Sequence, residues 1–295
     1  MNPFGSVTAS LLVVNLVDAW LYGSLLAAVA VSLTLVFGLG RVVNFAIGAF
    51  YALGAYVAYS FRGMVGYWPA VAFAVVCVAG FAGVVERIAI RPLRGRTEIN
   101  TLLATFGLAI LLDGLMQVVW GTATRTMSSP IGGTVPVDGQ RMSVFIFVAA
   151  ALATAVSAGI WALLRWTGAG TVLRGASQNS SMAELLGVNT RAMMTGLFAA
   201  SAGIAALIGG FAGPIFSVRP GMDVDFLIDA FLAVVIGGLG SVRGAIVGAY
   251  LVALADNLSL TFMTGDVATA VSFVVVIVIL LARPSGIFRE GRVIT

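Results

Sequence analysis

Runs of about 20 apolar residues follow one another along almost the whole chain, and the arginines fall mainly at their ends or between them. A helix needs about that length to cross a bilayer. The pattern predicts an all-α fold, a polytopic transmembrane helical bundle forming one domain over residues 1–295. Candidate spans are 19–38, 42–61, 69–87, 98–120, 143–165, 191–212, 225–239, 242–262 and 266–283, and the expected total is about eight to ten. The chain is 60% hydrophobic and 9% charged, against about 25% charged for a soluble domain. Its mean hydropathy of +1.07 excludes a soluble protein.

Charge position predicts sidedness. All sixteen cations are Arg; Lys and His are absent. Arg87, Arg91, Arg94 and Arg96 crowd one loop, Arg165, Arg174 and Arg191 bracket another, and Arg283, Arg289 and Arg292 mark the C-terminus. The positive-inside rule makes these three regions cytoplasmic. The loop 121–142, with only Arg125 and Arg141, is then outside, as is the N-terminus. Arginines scattered at span ends do not form a basic face, so no nucleic-acid partner is expected despite the pI of 9.7. Membrane lipid is the expected surrounding. The lone Cys77 allows neither an intrachain disulfide nor a cysteine cluster, and no metal site is expected. The N-terminus lacks the cationic start of a cleavable signal, so the first span is expected to be retained.

One motif occurs twice. Gly38-Leu39-Gly40-Arg41-Val42 with Gly48-Ala49-Phe50 returns as Gly238-Leu239-Gly240-Ser241-Val242 with Gly248-Ala249-Tyr250. Glycine-interrupted apolar segments at corresponding places in two halves point to a transport path. The segments 42–61 and 225–239 are either ordinary helices turning at Gly40 and Gly240, or broken helices whose unwound parts line a cavity. The expected path residues are Asn44, Phe45, Gly48, Phe106, Gly238, Gly240 and Ser241. Asn44 has both donor and acceptor to offer a zwitterion. Tight helix packing is the competing role for the glycines. Gly209-x-x-x-Gly213 and Gly244-x-x-x-Gly248 also permit close backbone contact, within one chain or between two.

The segment 167–190 is the longest connection on the arginine-rich side. Asn179, Ser180 or Ser181 is placed to cap a short helix carrying Met182, Ala183, Leu185 and Leu186, with Gly187 ending it. An apolar face outside the membrane is a docking surface; packing of that helix against the chain's own base is the alternative.

A family resemblance joins these features. Gly170, Leu173-Arg174, Ala176 and the Gly187-Val188-Asn189 ending resemble the coupling loop of ABC-importer permeases. Asn44-Phe45-Ala46-Ile47-Gly48 resembles the Asn-Phe-Ala-His-Gly block of branched-chain amino acid permeases of the LivH type. Glu86-Arg87 with Arg91-Pro92-Leu93-Arg94, the Gly237–Ser241 block with Gly244 and Gly248, and Arg283–Phe288 resemble their further motifs. Ile47 departs from the family's His, and Gly175 from its Ala.

The resemblance implies a bacterial inner-membrane permease subunit that moves branched-chain or similar small apolar amino acids, and it leaves urea or amides as an alternative cargo. It implies a second, homologous or identical permease subunit, cytoplasmic ATPases and a periplasmic or extracellular solute-binding protein. Arg174, Ala176, Ala183, Glu184, Leu186 and Gly187 are the expected ATPase-coupling residues. No cofactor is expected in this chain, because ATP is used by the partner. Without Lys, the chain has no phosphate loop of its own. The residues alone also admit an ion-coupled secondary transporter using Asp113, Asp229 or Asp256. An enzyme is not expected, since neither a metal cluster nor a Gly-x-Ser-x-Gly elbow is present.

Overall fold

In a computed structural model the apolar runs form helices that satisfy their own backbone hydrogen bonds, as lipid demands. The structure describes residues 9–40, 44–93, 97–137, 140–262, 265–283 and 286–288. Arg41, Arg94, Arg96, Arg289, Arg292 and the Pro284-Ser285 part of the C-terminal motif lie outside them. The helices are α1 (Ala9–Gly40), α2 (Ala46–Val65), α3 (Tyr67–Val85), α4 (Glu98–Trp120), α5 (Val144–Trp166), α6 (Gly168–Gln178), α7 (Ser180–Leu185), α8 (Thr190–Phe216), α9 (Met222–Gly237), α10 (Val242–Phe262) and α11 (Gly265–Ala282). One hairpin, β1 (Thr134–Val137) with β2 (Gln140–Ser143), lies between α4 and α5.

The expected spans 98–120 and 242–262 coincide with α4 and α10. Others shift. α1 begins at Ala9 rather than 19, because Asn15 and Asp18 interrupt the apolar run without interrupting the helix. α2 begins at Ala46 rather than 42, because Asn44 Oδ1 takes the Ala46 N–H at 3.1 Å and holds the chain in a turn there. Among the described residues, five stretches are long and apolar enough to cross a membrane: Leu12–Gly38, Tyr67–Leu93, Ile99–Trp120, Val144–Trp166 and Thr190–Phe216. The shorter α2, α9, α10 and α11 complete a polytopic helical bundle.

Burial inverts the rule for soluble proteins. α4 is apolar almost throughout, yet Ile99, Leu103, Ile110, Leu115 and Val118 are exposed. α2 is richer in Gly, Ala and Tyr and is enclosed by α3, α4, α8 and α9. Without a hydrophobic force between helices in lipid, close approach of small residues holds them together. A β-carbon at Gly209 of α8 would overlap the Tyr51 carbonyl of α2, and one at Gly54 of α2 would overlap the Ala206 backbone of α8. Gly244 and Gly248 of α10 press on Gly237 and Ala233 of α9 in the same way. Both small-residue patterns therefore make contacts inside this chain.

The repeat is parallel. Tyr22 meets Phe226 and Phe37 approaches Gly240, so α1 and α9 run in the same direction. Phe45 meets Phe231 and Tyr51 stacks on Phe226 at 4.5 Å, so α2 runs against α9. Gly23 meets Tyr250 and Ala253 while Phe37 and Val242 share one cavity, so α1 and α10 are antiparallel. α2 and α10 thus run the same way, and both junctions lie at the same end of the bundle.

The C-terminal segment closes that end. Ile287 N donates to the Ile236 carbonyl at 2.8 Å, and Phe288 N to the Gly237 carbonyl at 3.0 Å. These satisfy carbonyls that the end of α9 would otherwise leave open. Gly286 has φ +78°, and a β-carbon there would stand 2.5 Å from Gly238 Cα. Gly286→Ala should lift the segment off α9 and lower stability by about 1–3 kcal/mol. A fall in the detergent melting temperature of the purified protein checks this; an unchanged value refutes it.

Candidate functional site

The α9–α10 connection is an ordinary interhelical turn. Gly238 (φ +105°) and Gly240 (φ +91°) take positive φ, which a side chain resists. Ser241 N donates to the Gly238 carbonyl at 3.0 Å, and Ser241 Oγ accepts from Gly244 N at 3.1 Å, starting α10. The turn is also one wall of a cavity of about 700 Å³. Phe37 and Gly38 from α1, Gly240 and Ser241 from the turn, and Arg174 and Ser177 from α6 all line it. The structure therefore brings two expected path residues against one expected coupling residue. Gly238 sits deeper, beneath Gly286.

The other expected path residues are elsewhere. Asn44 and Phe45 lie where α2 starts, against α4 and α9. Phe45 N donates to Thr105 Oγ1 at 3.3 Å, and its ring meets Phe106 at 6.2 Å and Phe231 at 5.9 Å. Phe106 is half-exposed on α4. Asn44 is 1% exposed; its Oδ1 is used by Ala46 and its Nδ2 has no partner. Of the two capacities expected for Asn44, the donor is the one left over. Gly48 faces no described cavity: a β-carbon would lie 2.7 Å from the Asp223 carbonyl oxygen of α9. Its place is helix packing. Ile47, standing where the resembled motif has His, is fully buried.

The connection 167–190 holds two helices where one was expected. Thr167 Oγ1 accepts from Gly170 N at 3.3 Å and starts α6. A β-carbon at Gly170 would overlap the Leu164 carbonyl, so only glycine permits this tight reversal from α5. The Gly-rich run reads as loop, and Thr167 was the available capping signal. Asn179 caps α7, accepting from Met182 N at 2.9 Å, and Gly187 ends it at φ +85°. Asn189 caps α8, accepting from Ala192 N at 2.9 Å.

The coupling candidates divide by direction. Ala176 and Ala183 are buried, facing inward. Arg174 donates to the Leu164 carbonyl and to Thr171. Glu184 accepts from Thr190, tying α7 to α8. Leu185 is 83% exposed and Leu186 78%, with Met182 exposed beside them. Nearby, Glu86 opens a π-helical turn (Glu86–Ile90) after α3 and accepts from Thr195 of α8 at 2.5 Å.

The candidate ion-site carboxylates fall in two places. Asp113 of α4 accepts from Gln117 at 2.8 Å. Asp229 accepts from Tyr22 at 2.6 Å, and both line a second cavity of about 720 Å³ with Asp18, Asp256 and Asn257. Among the described residues, no group of His, Cys, Asp and Glu is arranged to hold a metal.

A polytopic helical bundle with a glycine turn, a cavity beside it and an amphipathic connection at the same end has the architecture of a membrane permease. The chain belongs to the family described as branched-chain amino acid transport system / permease component, which matches residues 15–281. It is 28% identical over 294 residues to the high-affinity branched-chain amino acid transport system permease protein LivH of Escherichia coli K12, covering 92% of this chain and 93% of that one. It is 28% identical over 299 residues to the permease protein BraD of Pseudomonas aeruginosa, covering 95% and 96%. Among solved structures it resembles PsaBC from Streptococcus pneumoniae in complex with Fab, with a TM-score of 0.50, 14% identity and 91% of each chain covered. That likeness concerns the fold alone.

Proposed function

We propose that this chain is the permease subunit of an ABC importer that moves branched-chain or similar small apolar amino acids across the bacterial inner membrane. The match to the permease family along residues 15–281 carries this reading. A single permease domain pairs with a second permease subunit, cytoplasmic ATPases power it, and a solute-binding protein delivers the cargo. The end holding Arg174, Arg243 and Arg283 is cytoplasmic. ATP stays with the ATPases, and this chain performs no chemistry.

Coupling runs through α6 and α7. α6 packs on α1 and faces the Gly240-Ser241 turn across one cavity, so a displacement of α6 reshapes the cavity beside the α9–α10 junction. The exposed Met182, Leu185 and Leu186 supply an apolar contact for an ATPase groove. Asn44, Phe45 and Phe106 belong to the path at the start of α2. The Phe45 ring meets those of Phe106 and Phe231, and the residue before it, Asn44, carries a buried amide donor with no partner. Such a lining suits an aliphatic zwitterion better than a sugar, which needs many polar partners to replace its water.

The test is uptake of labelled leucine, isoleucine and valine by cells with and without the complete system. Loss on deletion supports the reading. Unaffected uptake of all three, with loss of urea or an amide, refutes the cargo and keeps the importer. Asn44→Ala should cut uptake about tenfold by removing one donor to a charged carboxylate. Unchanged uptake in that variant removes Asn44 from the path.

A further inference from the structure

The cavity beside the Gly240-Ser241 turn carries positive charge that coupling does not account for. Arg165 of α5, Arg174 of α6 and Arg243 of α10 all line it, and its described lining residues include no Asp or Glu. The guanidinium carbon of Arg165 stands 5.5 Å from the centroid of a Trp161 ring, and that of Arg243 stands 5.3 Å from the same ring. One indole thus gathers two guanidiniums. Among the described residues, neither of these side chains has a hydrogen bond or an ion pair. Arg174 donates to the Leu164 carbonyl and to Thr171. The wall hydroxyls of Thr34 and Ser177 turn back on their own helices, donating to the Ala30 and Arg174 carbonyls at 2.8 Å. The donors left over belong chiefly to guanidiniums.

Three like charges around one cavity repel more strongly than they would in water, and an anion offsets that repulsion. A zwitterionic amino acid does not fit, because its ammonium would meet three cations and no carboxylate. The planar fork of a guanidinium matches the oxygens of a phosphate. The surroundings say which phosphate. α5 and α10 both pack on α1 and scarcely touch each other. This leaves a furrow between them, to which α1 contributes Thr34, Leu35 and Phe37. Arg243, Val247 and Leu254 follow one another on one face of α10, at i, i+4 and i+11. Both apolar residues of that row are exposed. Trp161 also meets Trp166 at the end of α5, ring centroids 5.5 Å apart, where aromatic residues mark a membrane interface. Charge at the end of the bundle with an apolar row running away from it matches a lipid headgroup and its chain. A free phosphate would use the arginines and leave the row idle.

We propose that this cavity binds the phosphate of an anionic phospholipid from the cytoplasmic leaflet. Arg165 and Arg243 are its principal donors and Arg174 the third, and an acyl chain lies along Val247 and Leu254. Basic pockets between spans on the cytoplasmic side hold lipid headgroups in this way. The choice of leaflet rests on the arginine-based sidedness above; the cargo does not enter. A bound lipid ties α6 to the start of α10 across the cavity they share.

The test uses the full chain, delipidated in a neutral detergent. Its melting temperature is followed during titration with dioctanoyl phosphatidylglycerol, dioctanoyl phosphatidylcholine or inorganic phosphate. Phosphatidylglycerol should raise it with a saturable midpoint, and the other two should not at the same concentrations. Arg165→Gln and Arg243→Gln should each weaken that midpoint about tenfold, the scale of one hydrogen bond to a charged group, and the double variant more. Arg141→Gln, in the hairpin at the other end of α5, should leave it unchanged. Equal stabilisation by inorganic phosphate marks a free-anion site and overturns the lipid. Equal stabilisation by phosphatidylcholine marks a general effect of lipid and also overturns it. A wild-type chain that phosphatidylglycerol does not stabilise, or single variants with an unchanged midpoint, overturns the site. Arg165 and Arg243 are exposed, so each single variant should fold, and these two decide if the double variant does not.

Discussion

Gly209→Leu should abolish the folded protein. A β-carbon at this position overlaps the Tyr51 carbonyl oxygen, and the Ala55 backbone nitrogen is 3.2 Å away. Backbone cannot swing aside as a side-chain tip can, so α8 and α2 must separate. Overpacking a core costs about 1–3 kcal/mol where side chains can adjust, and here both walls are main chain. Separation also undoes the reciprocal contact of Gly54 with Ala206. The expected result is loss of the monodisperse peak when detergent extracts are sized, with less protein in the membrane. Gly159→Leu on α5 and Gly114→Leu on α4 are the controls. No atom lies within 4 Å of a β-carbon at either position, so both should extract like wild type. A normal peak for Gly209→Leu would show that α2 and α8 do not meet as described.

Charging the exposed face of α7 should have the next largest effect, and on activity rather than folding. Leu185→Asp with Leu186→Asp places two carboxylates on side chains that touch little of their own chain. The N-cap at Asn179, the Gly187 ending and the Thr190–Glu184 bond all remain. Extraction and melting temperature should be unchanged. Under the importer reading these leucines fill an apolar groove of the ATPase, and loss of such an anchor costs about 2 kcal/mol or more. Uptake should fall about thirtyfold or more, and the ATPase should co-purify poorly. Wild-type uptake with normal co-purification would remove α7 from the coupling surface. The same substitution on Ala183 is not equivalent, because Ala183 is buried against its own chain and a charge there disturbs folding first.

The sequence by itself determined the class of fold and most of the helix count. Twenty-residue apolar runs in lipid have one economical solution, and the run 98–120 was a helix before any neighbour was known. The family was legible too, because its motifs keep order and spacing along the chain. Local capping was partly legible: Asn179 and Gly187 each act through their own few residues. α6 was not, since Gly168, Gly170 and Gly175 oppose a helix on propensity alone. That helix forms because Gly170 lets the chain turn against the Leu164 carbonyl.

Only the tertiary structure decided what each glycine is for. Gly48 and Gly240 both belong to the repeated motif, yet Gly48 packs on α9 while Gly240 turns the chain beside a cavity. A missing side chain reads the same in sequence whether the space is filled by another backbone, by a positive φ, or by nothing.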